Sequence, residues 1–306
     1  MTAFITYGMQ IVMSCRMRKM VERRVARGMG EGESRDEGRN TKGKRTDAES
    51  PKSISNPKGL LVFDHVNFKY PGANENALED INFVAEPGKT TAIIGSTGCG
   101  KSTLVNLIPR LYDATEGSIT LDGENIKNIS MKELRDELGY VPQKGILFSG
   151  TIESNIKFGA PEASMDIVKE AAEIAQATEF IETKSAKYES PIAQGGTNVS
   201  GGQKQRLSIA RAIARDPEIY IFDDSFSALD YKTDSVLRKE LKKYTKDATI
   251  LIVAQRIGTI MNADKIIVLD NGKCAGIGTH KELLKTCDVY KEIALSQLSK
   301  EELENE

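Results

Sequence analysis

The spacing of apolar residues changes along this chain, and each change marks an element. Leu61-Val62-Phe63 opens a strand, and Val66, Phe68 and Tyr70 then alternate with polar neighbours, as in a strand with one buried face. Pro71-Gly72-Ala73-Asn74 reads as a turn, and Ile81-Asn82-Phe83-Val84-Ala85 as the returning strand, closed by Pro87-Gly88. Three later runs do not alternate at all: Thr91-Ala92-Ile93-Ile94, Ile219-Tyr220-Ile221-Phe222 and Ile250-Leu251-Ile252-Val253. Short continuous apolar runs suit strands covered on both faces, the usual state of a parallel sheet. Helical spacing and composition run through Thr103–Ile108, Val168–Phe180 and Gln203–Ala214. Ile266-Ile267-Val268-Leu269 and Lys273–Ile277, joined by Asn271-Gly272, predict a hairpin. Strands alternating with helices predict an α/β domain on a mostly parallel sheet, with an antiparallel β subdomain ahead of it.

The pattern fails at both ends of the chain. Residues 28–59 are Gly-, charge- and Ser/Asn-rich with almost no large apolar side chains, so they are expected to form a flexible linker. Thr2–Ser14 is apolar but shorter than the ~20 residues a spanning helix needs, and Gly8 and Gln10 interrupt it. Arg16, Arg18, Lys19, Arg23, Arg24 and Arg27 follow it, opposed only by Glu22. An apolar stretch followed by a basic cluster marks the cytoplasmic end of a membrane helix, and an amphipathic arm is the alternative for residues 1–27. The expected folded domain is therefore 60–298, with a charged tail at 299–306.

Composition narrows the function classes. A net charge of −2 over 306 residues gives no reason to expect a nucleic-acid partner. With no Trp, a sugar- or base-stacking surface is disfavoured. Cys15, Cys99, Cys274 and Cys287 have no metal-ligand spacing and suggest no disulfide framework.

The chemistry concentrates where the Thr91–Ile94 run ends. Gly95-Ser96-Thr97-Gly98-Cys99-Gly100-Lys101-Ser102, followed by Thr103, matches G-x-x-x-x-G-K-[ST] between a predicted strand and a predicted helix. Glycines allow successive backbone N–H groups to turn inward around phosphates, Lys101 adds a point charge, and the Ser102 hydroxyl is a ligand for Mg²⁺. Asp223, at the end of the Ile219–Phe222 run, brings a carboxylate to the same sheet edge to hold that ion. Val199-Ser200-Gly201-Gly202-Gln203-Lys204-Gln205-Arg206 opens a helix, with Ser200 near its N-cap. Such a Ser-Gly-Gly turn is a second anion site, presented away from the first.

With these motifs the chain resembles the ATP-binding cassette of ABC transporters over about residues 60–298. The resemblance implies a P-loop NTPase core with an α-helical signature subdomain at about 144–212. It implies that Ser200, Gly201, Gly202 and Gln203 close over ATP held by a second cassette in a head-to-tail dimer. Tyr70 resembles the aromatic that stacks on adenine. Gln143, in Val141-Pro142-Gln143, matches the residue that senses Mg²⁺ and couples to the membrane domain. Ser227-Ala228-Leu229-Asp230 matches the loop that crosses the dimer interface, which puts Asp230 there. Leu147-Phe148-Ser149-Gly150-Thr151-Ile152 with Asn155-Ile156 looks like the exporter branch. Met1–Ser14 resembles part of the last membrane helix of a half-transporter whose remaining membrane domain is not in this chain. Cys15–Asp47 does not look like the usual continuation of that helix, so a truncated or frame-disrupted gene product is one expectation. The implied location is the cytoplasmic face of the cell membrane.

Two positions depart from the family pattern. Asp224 stands where the family has Glu as the base that polarises the attacking water, and Gln255 stands where it has His. Asp is one methylene shorter, which sets the carboxylate back by roughly 1 Å, and a displacement of that size can cost on the order of 100-fold in rate. Gln bonds a phosphate through its amide but cannot relay a proton. The expectation is a site that binds ATP and hydrolyses it slowly, as in the degenerate-site subunit of heterodimeric exporters, although a homodimer also fits. A non-transport ABC ATPase and a regulatory module that dimerises on ATP are the alternatives. Cys99, inside the phosphate loop near a helix start, is in surroundings that favour a thiolate.

Overall fold

The computed structural model describes residues 47–48 and 50–298. The expectations for 1–27, for most of the 28–59 linker and for 299–306 lie outside the described residues. The exception is the end of that linker, which is fastened down. Lys52 N–H donates to Asn128 O at 2.9 Å, and Ile54 N–H to Glu133 Oε1 at 2.9 Å. The N–H groups of Lys58, Gly59 and Leu60 all donate to the Asp122 carboxylate. Composition predicted mobility here, but main-chain donors bind a surface carboxylate whatever the side chains are.

The expected antiparallel pair is present as β1 (Leu61–Phe68) and β2 (Leu78–Ala85), inside a four-stranded sheet ordered β2-β1-β4-β5 with β4 (Glu116–Leu121) and β5 (Glu124–Asn125). The main sheet has six strands, ordered β12-β11-β3-β10-β9-β6. They are β3 (Thr90–Gly95), β6 (Leu138–Val141), β9 (Ile219–Asp223), β10 (Thr249–Val253), β11 (Lys265–Asp270) and β12 (Lys273–Gly278). All neighbours are parallel except the β11–β12 hairpin. Its Asn271 (φ 46) and Gly272 (φ 79) are both left-handed, the turn that Asn-Gly favours.

The unbroken apolar runs are explained by what covers each face. In β9, Ile219 and Ile221 face the core shared with the antiparallel sheet, while Tyr220 and Phe222 face the core under the helices. In β10, Leu251 and Val253 divide from Ile250 and Ile252 in the same way. The first core is completed by α1 (Lys101–Leu107) through Leu104, Val105 and Leu107, and by α2 (Met131–Asp136) through Leu134. The second includes α6 (Gly201–Ile213), α7 (Tyr231–Tyr244), α8 (Ile257–Ile260) and, after the hairpin, α9 (His280–Thr286) and α10 (Asp288–Gln297).

Between β6 and β9 lies the expected helical region: α3 (Ile152–Ile156), α4 (Met165–Ile174), α5 (Thr178–Glu182) and α6, with a small β7–β8 ribbon (Gly150–Thr151, Pro191–Ile192). One expectation needs correction, because Val168–Phe180 is not one helix. The chain breaks after α4 at Gln176, which is left-handed (φ 56), and α5 restarts two residues later. Ala175 and Ala177 are fully buried at the break, so apolar spacing runs straight through it. Among the described residues no helix is long and apolar enough to cross a membrane.

Candidate functional site

The phosphate loop joins β3 to α1, and its backbone path explains its glycines. A Cβ on Gly95 would collide with the Leu269 carbonyl oxygen of β11, and one on Gly100 (φ 106) would stand 2.8 Å from Leu78 Cδ2. Gly272 of the hairpin turn donates its N–H to Cys99 O at 3.1 Å, so the hairpin supports the loop from outside. Ser96, Thr97 and Gly98 form the exposed crest, whereas Cys99 is buried beneath it. Lys101 is 9% exposed, and its ammonium donates to Gly95 O and Ser96 O, both at 2.8 Å. The cation is thus held inside the loop by main-chain carbonyls. No side chain caps the first turn of α1. Tyr70, just beyond β1, shares a 2.9 Å hydrogen bond with the Thr103 hydroxyl, and its ring packs edge-on against Phe68 and Tyr112. That puts the predicted adenine-stacking aromatic beside the loop.

Asp223 ends β9 opposite the loop and is 8% exposed. Its Oδ1 accepts from the Ser102 hydroxyl at 3.4 Å and its Oδ2 from the Tyr140 phenol at 3.2 Å. Burial pushes its carboxyl above the ordinary range, while the two hydroxyls pull it back. The Tyr140 phenol is pushed well up, first by burial and then by the Asp223 charge. A buried carboxylate paired only with neutral hydroxyls is one that a cation would stabilise. Among the described residues no group of three or more His, Cys, Asp or Glu is placed to hold a metal ion by itself. The oxygens brought together here are those of Ser102 and Asp223, hard donors that suit Mg²⁺ completed by phosphate oxygens and water.

Asp224 stands next in sequence in different surroundings. Its backbone is left-handed (φ 48), a conformation that Asp adopts more readily than most L residues. Its N–H donates to Val253 O at 2.9 Å, which locks the end of β9 to the end of β10. Its Oδ2 accepts from Gln143 Nε2 at 2.9 Å and from Gln255 Nε2 at 2.8 Å. Gln143, expected at the metal, therefore turns its amide nitrogen to Asp224. Both neighbours of this carboxylate are amide donors, and neither can accept a proton from it. Gln297, in α10 (Asp288–Gln297), braces the Gln255 segment: its Nε2 donates to Gln255 O and its Oε1 accepts from Ile257 N–H, both at 2.8 Å.

The other predicted residues sit at helix starts. Ser200 caps α6 in a reciprocal box: its Oγ accepts from Gln203 N–H at 3.2 Å, and its N–H donates to Gln203 Oε1 at 3.1 Å. Gly201 and Gly202 form the first turn, and a Cβ on Gly202 would stand 3.3 Å from Ala228 O. Asp230 caps α7 through Thr233 N–H and Thr233 Oγ1, and the Thr233 N–H bond leads in holding its carboxyl low. Sequence reasoning missed Tyr140, Gln205 and Gln297. For Gln205 a signal existed, because a polar side chain on the same helical face as Ile209 and Ala212 needs a buried partner.

The ABC transporter family model matches residues 78–227, which include the phosphate loop, Gln143, Ser200–Gln203, Asp223 and Asp224. Tyr70, Asp230 and Gln255 lie beyond it. An uncharacterized ABC transporter ATP-binding protein of Mycobacterium tuberculosis is 43% identical over 299 residues, 96% of this chain and 51% of that protein. A Staphylococcus aureus ATP-binding/permease protein named for multidrug export is 45% identical over 236 residues, 77% of this chain and 41% of that one. The chain thus spans about half the length of the curated relatives it matches. Among solved structures, a bacterial Atm1-family ABC exporter with ATP bound superposes with a TM-score of 0.79 at 35% identity, covering 83% of this chain and 44% of that one. With that fold, loop and helix start in one chain, this protein belongs to the ABC transporter family and carries its ATPase domain.

Proposed function

We propose that this chain is the ATP-binding subunit of an ABC exporter, and that its own site binds MgATP well and hydrolyses it slowly. The observation that carries this reading is the Asp224 carboxylate held between the amides of Gln143 and Gln255. In this reading Lys101 and the loop N–H groups take the β- and γ-phosphates, and Tyr70 takes the adenine. Ser102, Asp223 and Gln143 hold Mg²⁺, which when bound neutralises charge building on the phosphate oxygens. Gln255 can bond the γ-phosphate, but no group beside Asp224 carries a proton away. Ser200–Gln203 completes the nucleotide site of a second cassette, a heterodimeric partner with Glu and His at the corresponding positions, and Asp230 lies at that interface. A membrane domain supplies substrate choice, which places the chain at the cytoplasmic face of a membrane. The exporter-type relatives support this assignment.

The test is ATP binding and ATP turnover by the purified chain, alone and as the Asp224→Glu/Gln255→His double variant. Tight MgATP binding with little turnover by the unmodified chain, and a marked gain in the variant, is the expected result. Robust hydrolysis by the unmodified chain alone refutes the slow site.

A further inference from the structure

Gln205 is 1% exposed, and both ends of its amide are satisfied by one loop. Its Nε2 donates to Pro142 O at 3.0 Å, and its Oε1 accepts from Gly145 N–H at 2.9 Å. These two groups flank Gln143 and Lys144, so a single buried side chain of α6 closes the loop that carries Gln143. The backbones also touch directly: a Cβ on Gly145 would stand 2.8 Å from both Lys204 O and Ser208 Oγ. Further along the helix, Arg211 donates to Ile146 O at 2.9 Å and to Asn155 O at 2.8 Å. Its guanidinium lies 5.3 and 5.4 Å from the ring centres of Phe148 and Phe158. Asn155 in turn bonds the N–H and C=O of Phe148. Residues 142–155 are therefore carried by α6, whose first turn is the Ser200–Gln203 motif.

We propose that Gln205 is a positioning residue that makes the Gln143 loop and α6 one rigid body. The reach of Gln143 to Asp224 then follows the state of the Ser200–Gln203 turn. A chain of physical contacts runs from that turn along α6 to Gln205, then across the loop to Gln143 and the Asp224 carboxylate at 2.9 Å. Seating the Ser-Gly-Gly turn on an anion is in this way felt at the chain's own hydrolytic carboxylate. The link rests on the proposed function only in that anion; the latch itself is a property of the free chain.

The experiment is amide hydrogen exchange on the full chain, together with ATP affinity measured with and without Mg²⁺. Gln205→Met keeps the volume and removes the donor and the acceptor. It is expected to speed exchange at Gly145 at least roughly 10-fold, because the partner of a main-chain donor is lost. Exchange in β9 and in Leu207–Ile213 should stay within about twofold, which shows that the fold holds. MgATP affinity is expected to fall about 3- to 10-fold, at or below the low end of what losing an orienting second-layer contact to a metal costs, because Gln205 acts through the loop backbone. Affinity without Mg²⁺ should be unchanged, a split that general loosening would not give. Ser200→Ala, which removes the α6 cap, should speed Gly145 exchange in the presence of Gln205 and add nothing in Gln205→Met. Unchanged Gly145 exchange, or additive effects of the two substitutions, overturns the proposal.

If Gln205→Met does not fold, Gln205→Glu decides. A protonated Glu keeps one donor and one acceptor, and an ionised one loses the donor to Pro142 O. The ionised form still accepts from Gly145 N–H but sets its other oxygen against Pro142 O and pushes the loop open. Protection at Gly145, corrected for intrinsic rate, is therefore expected to be full at pH 5 and at least roughly 10-fold weaker at pH 8; protection independent of pH refutes the latch. Failure of the unmodified chain to bind ATP would refute the proposed function instead, while the exchange results still judge the latch.

Discussion

Asp223 and Asp224 are neighbours in sequence, yet the two sides of the site they serve are built from different materials. Around Asp223 the partners are the hydroxyls of Ser102 and Tyr140, with Lys101 folded into the adjoining loop. Around Asp224 the partners are two amides, from Gln143 and Gln255. A hydroxyl can rotate and pass a proton, and a buried carboxylate beside it is ready for a cation. An amide can only hold. In the proposed reading the first set binds nucleotide and metal, and the second holds the hydrolytic carboxylate without a neighbour that can take its proton. On that reading, nucleotide affinity and turnover separate within one site.

The largest expected break in this comparison is on the binding side. Lys101→Ala removes the one buried cation of the loop and leaves Gly95 O and Ser96 O without their donor. Losing one member of a buried charge-assisted set costs about 2–5 kcal/mol, so MgATP affinity should fall on the order of 10³-fold. Equilibrium binding of a fluorescent ATP analogue checks it. A loss under about tenfold would mean that phosphate is not held here.

Next in size is the gain from repairing the hydrolytic side. Asp224→Glu restores about 1 Å of reach, and Gln255→His restores a proton carrier, so the double variant should gain on the order of 100-fold in turnover. Each change alone should give much less than its share, because both side chains act on one oxygen and contacting residues are not additive. MgATP affinity should stay within about twofold. Steady-state phosphate release with and without each change measures the coupling. Equal gains from the singles and the double would mean that the two residues do not act together.

How far the sequence foretold this site follows from the physics of each part. The phosphate loop, the double-faced strands and the Asn-Gly hairpin are local: backbone geometry and two-sided burial dictate residue types within a few positions. The N-cap at Ser200 is local for the same reason. The break at Gln176 was hidden because buried alanines keep an apolar rhythm through a left-handed residue. The fastening of residues 52–60 was hidden because most of its donors are main-chain groups. Gln297 and Gln255 are 42 positions apart, and nothing local in either links them. Asp224 and Gln255 were legible as departures from a family pattern, but the Gln143 amide that joins them comes from a loop 81 positions before Asp224, and no local pattern links the two.

Cys99 tests the binding side with a smaller effect. Its sulfur lies 3.7 Å from the Lys101 ammonium and is 3% exposed, under the crest of the loop. Alkylation should be slow, and once complete should block nucleotide binding, because an added group has no room beside Gly95. A Cβ there would already be 2.6 Å from the Cys99 sulfur. Saturating MgATP should slow the reaction roughly tenfold by holding the loop closed. Mass spectrometry of the Cys99 peptide against time gives the rates, and equal rates with and without ATP would detach Cys99 from the nucleotide site.

The smallest expected effect is the sharpest test of how the two carboxylates differ. Tyr140→Phe removes one hydroxyl shared by Asp223 and Asn106 and leaves the ring packed against the core that the main sheet shares with the antiparallel sheet. A hydrogen bond to a charged group is worth about 1.5–3 kcal/mol when fully made, and at 3.2 Å this one should fall at or below the low end. The Mg²⁺ concentration that half-saturates ATP binding should then rise about 3- to 10-fold. Affinity for ATP without Mg²⁺ should not change, and neither should the gain in turnover from the Asp224→Glu/Gln255→His pair, since the Tyr140 hydroxyl bonds Asp223 and Asn106 and not Asp224. If Tyr140→Phe altered that gain, the two carboxylates would not be independent, and the separation of affinity from turnover would fail at its root.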